Sequence, residues 1–296
     1  MFAGTAKGAG ILILVILAGV AAFLVVEAVP ALTAPAEDIP GDSGLAGYIA
    51  PLVFGTLLAA VIALLVATPL AVAIALFIGY YAPRRLAQGL GYLVDLLAAV
   101  PSVIFGLWGI AVLAPRVGDA SAWLERTLGF LPFFSGPATD SGRTMLTVGV
   151  VLAVMILPIM SAINREVFLQ TPRLHEEAAL ALGATRWEMI RMTVLPFGRS
   201  GIISGAMLGL GRALGETMAV AIVLSVSPGL VSFNLITGQN PSTIAANIAL
   251  KVPESRGLDV NVLIASGLVL FVITLGVNML ARWIINRRAA FSGADA

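Results

Sequence analysis

The sequence predicts an all-α membrane protein with six crossing helices, and three observations carry that prediction. The 296 residues are 59% hydrophobic and only 11% charged, where soluble domains carry about a quarter charged residues. Mean hydropathy is +1.02. Six apolar stretches reach the roughly 20 residues that a helix needs to cross about 30 Å of hydrocarbon. Most of the arginines and lysines lie to one side of those stretches, which sets an orientation.

The predicted spans are 8–29, 49–80, 90–114, 144–163, 201–227 and 260–285. The first has a single lysine, Lys7, before it and an apolar run longer than a signal peptide's, so an uncleaved helix is expected. The second is long enough to tilt. Pro69 and Pro158 fall inside spans, where kinks are expected. With the N-terminus in the cytoplasm, eleven of the seventeen basic residues lie inside and five outside, while Arg212 lies within a span. Both termini are then cytoplasmic. The chain divides into a first helix with its outer loop (1–48), a five-helix core (49–285) and a short tail (286–296). The outer segments 30–48, 115–143 and 228–259 are rich in Pro, Gly, Ser and Asp and read as loops.

Composition removes several functions. A net charge of +1 lacks the basic face of a nucleic-acid binder. There is no cysteine and one histidine, His175, so thiolate and multi-histidine metal centres are excluded and no cofactor is expected. Neither lysine stands in a Gly-Lys-Ser/Thr phosphate loop, so the chain encodes no ATPase of its own. His175 reads as an exposed loop residue, and Asp95 and Glu27 as interfacial ones.

The one polar block on the inner side is 164–198, which carries eight charges. Thr171 is the expected N-cap of a helix over 173–182, with Pro172 in its first turn. Gly183 breaks that helix, and a second one runs over 184–194 and ends at Pro196. In its residues the block is either a solvated hairpin or a docking element. The order Glu177-Ala178-Ala179, three residues, Gly183, then Leu195-Pro196 resembles the EAA loop of ABC importer permeases, with a departure at Thr193. The resemblance implies that two short helices joined at the glycine dock into a cleft of an ATPase subunit. Small alanines admit a close approach, and the glycine turn fixes the angle.

The fifth span carries two charges, Arg212 and Glu216. Counted from Arg199, Arg212 stands about 20 Å into the membrane, where a charge costs at least about 2.5–3.5 kcal/mol. A spacing of four puts both on one face of a continuous helix. One reading is a buried ion pair that fixes register. The other is a polar path, since Gly205, Gly209, Gly211 and Gly215 admit a neighbouring helix at a subunit seam.

The run from Gly211 to Val220, Gly-Arg-Ala-Leu-Gly-Glu-Thr-Met-Ala-Val, resembles the PstC-type permease subunit of bacterial phosphate ABC importers. Val100-Pro101-Ser102-Val103-Ile104-Phe105-Gly106-Leu107 resembles that family's Pro-Ser stretch. The likeness covers about residues 50–285 and implies a type I importer permease in the bacterial inner membrane. It further implies a second permease (PstA-type), an ATPase dimer (PstB-type) inside and a phosphate-binding protein (PstS-type) outside. In that family the Arg and Glu of the fifth-span motif are associated with phosphate passage, and they carry over as Arg212 and Glu216. Arg212 would offer a planar fork to two phosphate oxygens. Glu216 would limit dwell time, accept the P–OH hydrogen bond and disfavour sulfate, with Ser102 and Thr217 as neutral donors. The competing readings are the PstA-type partner, an ABC permease for sulfate or molybdate, and a secondary anion symporter, which would show an internal repeat and no docking loop.

Overall fold

The computed structural model describes residues 2–289. Its helices, in chain order, are α1 (Phe2–Thr33), α2 (Gly44–Leu76, continued by a π-turn at Phe77–Tyr81), α3 (Arg84–Ala98), α4 (Ser102–Trp108), α5 (Ala114–Leu128), α6 (Met145–Leu169), α7 (Arg173–Ala181), α8 (Arg186–Met189), α9 (Leu195–Leu214), α10 (Met218–Val223), α11 (Ile244–Lys251) and α12 (Leu258–Ala289). No β-strand occurs among the described residues. A π-turn, Gly109–Leu113, joins α4 to α5, and another, Ile190–Val194, joins α8 to α9.

Helix α6 is the axis of the bundle. Met145, Leu152, Met155, Ile156 and Met160 are fully buried along it, against α2 on one side and α9 on the other. Outside this centre, α1 and α12 pack on each other. Ile11 to Leu17 of α1 are all largely exposed, the surface of a helix that faces lipid. Helices α2 and α6 run on past Pro69 and Pro158.

Five helical stretches are long and apolar enough to cross a membrane: 4–33, 44–81, 102–128, 145–169 and 258–283. Two expected spans are corrected. The third does not run over 90–114, because Val100-Pro101 interrupts it: a residue before proline is driven out of the helical region. Ahead of the break, α3 is amphipathic, with Arg84, Arg85 and Asp95 on a helix whose Tyr92, Leu93 and Leu96 are exposed. The apolar crossing starts only at Ser102 and continues to Leu128, so half of the expected outer loop 115–143 is helix. The fifth span is not one helix over 201–227; α9 stops at Leu214 and α10 restarts at Met218.

The outer segments are also more ordered than loops. Asn240 holds them together: its Oδ1 accepts from the Met145 N–H at 3.1 Å, and its Nδ2 donates to the Ser225 and Thr237 carbonyls at 3.0 Å each. Of the tail expected at 286–296, residues up to Ala289 continue α12, and the remainder lies outside the described residues.

Candidate translocation site and coupling loop

Helix α9 has two faces of different character. A methyl group added at Gly198, Gly201 or Gly209 would stand 2.5 Å from Phe168, 2.6 Å from Val167 and 2.8 Å from Met160, all on α6, and one at Gly205 would stand 3.1 Å from Asn164 Oδ1. This glycine seam brings the two backbones together within one chain, so Gly205 and Gly209 do not face a second subunit. About a quarter turn round the helix, Ser200, Ser204, Leu208, Gly211 and Gly215 are exposed, and a methyl at Gly211 would meet nothing within 4 Å.

Arg212 stands at the edge between these faces and is half-buried. With Ser204 and Gly211 of α9, Ile159 of α6, and Asn278 and Arg282 of α12, it lines a cavity of about 430 Å³. Among the described residues its guanidinium has no hydrogen-bond or ion-pair partner.

Glu216 is not beside Arg212 on a shared helix face, and that expectation is corrected. Gly215, a poor helix former, ends α9. The Glu216 carboxylate then turns forward, and its Oε1 accepts the Ala219 N–H at 3.0 Å. The side chain is buried, 8% exposed, and satisfies one of the free donors at the start of α10. Thr217, half-buried, donates its hydroxyl to the Gly215 carbonyl at 3.2 Å and so belongs to the same break. Ser102 is half-buried as the first residue of α4. That helix lies against α10: a methyl on Gly106 would stand 3.0 Å from Ala219 Cα. Neither Ser102, Glu216 nor Thr217 lines the cavity of Arg212.

In the inner loop, Gly183 adopts φ +86°, a left-handed conformation that only glycine takes without strain, and it turns the chain from α7 to α8. Glu177 and Ala178 are exposed on α7, whereas Ala179 is buried against Met189, Ile190 and Val194. The N-cap of α7 is Pro172 rather than Thr171, with no side-chain cap. The second loop helix does not end at Pro196. Leu195 and Pro196 instead stand inside a continuous helical run: the π-turn at Ile190–Val194 leads straight into α9, and the chain is helical from Arg186 to Leu214. Thr185 starts it with a capping box: the Glu188 Oε2 accepts the Thr185 N–H at 2.8 Å and its hydroxyl at 2.7 Å, and Thr185 Oγ1 accepts the Glu188 N–H. These bonds hold the Glu188 carboxyl below its ordinary value.

Sequence reasoning missed the anchor of this loop. The Tyr80 hydroxyl, at the end of α2, lies 2.9 Å from both the Phe168 carbonyl and Glu176 Oε1, and its one proton is shared between the two acceptors. Arg186 Nη1 donates to the Tyr80 carbonyl at 3.2 Å. Loop, α2 and α6 thus meet at one residue. The outward face of the loop is unusually apolar: Leu174 is 76% exposed, Leu182 90%, Trp187 54% and Met192 58%. His175 is exposed, and no group of His, Asp and Glu able to hold a metal occurs among the described residues. Asp95 is exposed on α3, and Glu27 accepts a hydrogen bond from Asn261 of α12.

Residues 67–289 match the family of binding-protein-dependent transport system inner membrane components. The phosphate transport system permease protein PstC 2 of Mycobacterium tuberculosis is 47% identical over 95% of this chain and 89% of its own length. The PstC protein of Mesorhizobium japonicum is 38% identical over 99% and 92%. Among solved structures, a bacterial ABC transporter involved in import of the acidic polysaccharide alginate superposes with a TM-score of 0.54 over 80% of this chain and 79% of that one, at 18% identity. That likeness concerns the fold alone.

Proposed function

The chain belongs to the binding-protein-dependent transport system inner membrane components and, among them, to the PstC-type permeases; on that premise we propose that it forms one half of the path of an ATP-driven inorganic phosphate importer. It is a non-catalytic, multi-pass plasma-membrane subunit. The other half of the path comes from a second, PstA-type permease against the open face of α9. A PstB-type ATPase dimer seats on the inner loop, where Leu174, Leu182, Trp187 and Met192 offer apolar surface that a monomer would not leave in water. A PstS-type binding protein delivers phosphate outside. In this reading the chain crosses six times, α9 and α10 together making the fifth crossing, with both termini inside as the arginine bias requires.

The observation that carries the reading is Arg212, without a partner among the described residues, in the last turn of an apolar helix beside an open stripe of serine and glycine. Such a charge is expensive unless a polar path or ligand answers it. Its planar fork suits two oxygens of a phosphate. Glu216 sits just beyond, within the break, and its negative charge weakens anion binding enough for release while its carboxylate holds the start of α10. Thr217 belongs to the break ahead of α10, and Ser102 opens α4, which lies against α10.

Radiolabelled phosphate uptake at micromolar phosphate tests this, in cells with and without the gene, with excess sulfate or molybdate as competitor and an ATP-depleted control. Uptake that needs the gene and ATP, and that ignores both competitors, is expected. Arg212→Gln should abolish uptake while the assembled complex persists at wild-type amounts. Normal uptake by that variant would remove Arg212 from the path, and competition by sulfate or molybdate would reassign the substrate.

A further inference from the structure

The cavity between α9 and α12 contains a second arginine that the fifth-span motif does not include. Asn278 and Arg282 are one turn apart on α12 and share the face turned to α9, with Ala281 buried between them and the bundle. Together with Ser204 and Arg212 they give the cavity two guanidinium groups and two neutral polar side chains, and none of the residues lining it carries a carboxylate. Among the described residues Arg282, like Arg212, has no hydrogen-bond or ion-pair partner. An arginine at the end of a crossing helix ordinarily extends into the interface and needs no ligand. Arg282 is exposed too, and it differs because it lines the same cavity as another unpaired arginine. Two like charges on one cavity repel, and among the described residues no carboxylate lines it to neutralise them. An anion able to accept several hydrogen bonds at once would do so.

We propose that Arg282, with Arg212, Asn278 and Ser204, forms a binding site for a phosphate-type oxyanion in the cavity between α9 and α12. The inference rests on the proposed importer reading and extends it with a station on the inner half of the chain. Free inorganic phosphate leaving the path and the headgroup of an inner-leaflet phospholipid present the same oxygens to these side chains.

The test uses the fully assembled importer, purified in detergent, as wild type, Arg282→Gln, Arg282→Lys and Asn278→Ala. Equilibrium binding of radiolabelled orthophosphate is measured after delipidation, and co-purifying phosphatidylglycerol is quantified by mass spectrometry before it. If free phosphate is the ligand, Arg282→Gln weakens a saturable, salt-sensitive fraction of the binding by about tenfold or more, the worth of a charged hydrogen bond. Arg282→Lys then retains part of it, because the charge remains without the fork. If a headgroup is the ligand, phosphatidylglycerol accompanies the wild type and is lost from Arg282→Gln. Should Arg282→Gln not assemble, Asn278→Ala serves instead, with an expected weakening of about two- to tenfold. Retention of both phosphate and lipid at wild-type levels in the variants would overturn the site and leave the importer reading intact. A wild-type complex that retains an oxyanion through Arg282 but imports no phosphate would instead sink the importer reading alone.

Discussion

Tyr80→Phe is the sharpest probe of how the inner loop is held. The substitution removes one hydroxyl, keeps the ring in place and leaves the Phe168 carbonyl and the Glu176 carboxylate without a donor they now share at 2.9 Å. A hydrogen bond to a charged group contributes about 1.5–3 kcal/mol. Because one proton serves both acceptors and the site is only half-buried, we take the lower end, about 1.5 kcal/mol, or roughly a tenfold rise in the unseated population of the loop. If the loop is seated nearly all the time, such a rise leaves most molecules seated, so transport alone is an insensitive readout. Hydrogen exchange of the α7 amides reads the open population directly and should accelerate about tenfold in the assembled importer. Glu176→Gln keeps an acceptor oxygen and should accelerate exchange less. Wild-type exchange across α7 in Tyr80→Phe would refute the claim that this hydroxyl ties the loop to α2 and α6.

Three further outcomes follow from the geometry. Gly201→Ala places a methyl 2.6 Å from three side-chain carbons of Val167, so the α6–α9 pair must part, at a cost of about 1–3 kcal/mol; the melting temperature of the purified complex should fall, whereas Gly211→Ala, with open space around it, should leave it near wild type. Glu216→Ala removes the acceptor for the Ala219 N–H and should destabilise by about 0.5–2 kcal/mol, while Glu216→Gln keeps an oxygen and loses less; equal denaturation midpoints for the two would show that the carboxylate is no cap. Because the Thr185 N–H and hydroxyl depress the Glu188 carboxyl, the capping bonds contribute above the ordinary carboxylate pKa and are lost as pH falls through the depressed value; the Glu188 titration midpoint by carbon NMR should lie below the ordinary value and return toward it in Thr185→Ala.

The apolar stretches were legible because lipid imposes a composition over twenty residues at a time. The glycine turn of the inner loop was legible because a left-handed residue leaves a local mark at Gly183. What failed was finer than a hydropathy window. Residues 90–114 read as one apolar run because the leucines of α3 merge with those after Pro101; the proline and the alternation of Leu with Arg84, Arg85 and Asp95 hold the correct division, which averaging erases. The break at 215–217 depends on which way one carboxylate turns. On a continuous helix Glu216 would face the same side as Arg212, and a bond to an N–H three residues ahead is an equally local alternative that spacing does not separate. Tyr80 was invisible for a different reason: its partners are 88 and 96 residues away, and an aromatic residue at a span's end is ordinary in any membrane protein.

The position of Arg212 follows from how the helices are grouped. Glycines at 198, 201, 205 and 209 fix α9 to α6 at near backbone contact, and α6 packs along its length on α2. A closely packed set of this kind moves as a unit, because sliding one member would drive side chains into the glycine positions. Helices α1 and α12 pack mainly on each other, and α12 touches α9 over a smaller area. Arg212 lies at the edge of the first group and Arg282 on the second, with the cavity between them. A shift of α12 against α9 would therefore change the separation of the guanidiniums while leaving the α6–α9 glycine seam packed. In the proposed oxyanion site, arginines close together would hold the anion from two sides, and arginines apart would each offer it a single fork. The glycine seam that makes one face of α9 rigid is thus what confines adjustment to the face where the unpaired charges stand.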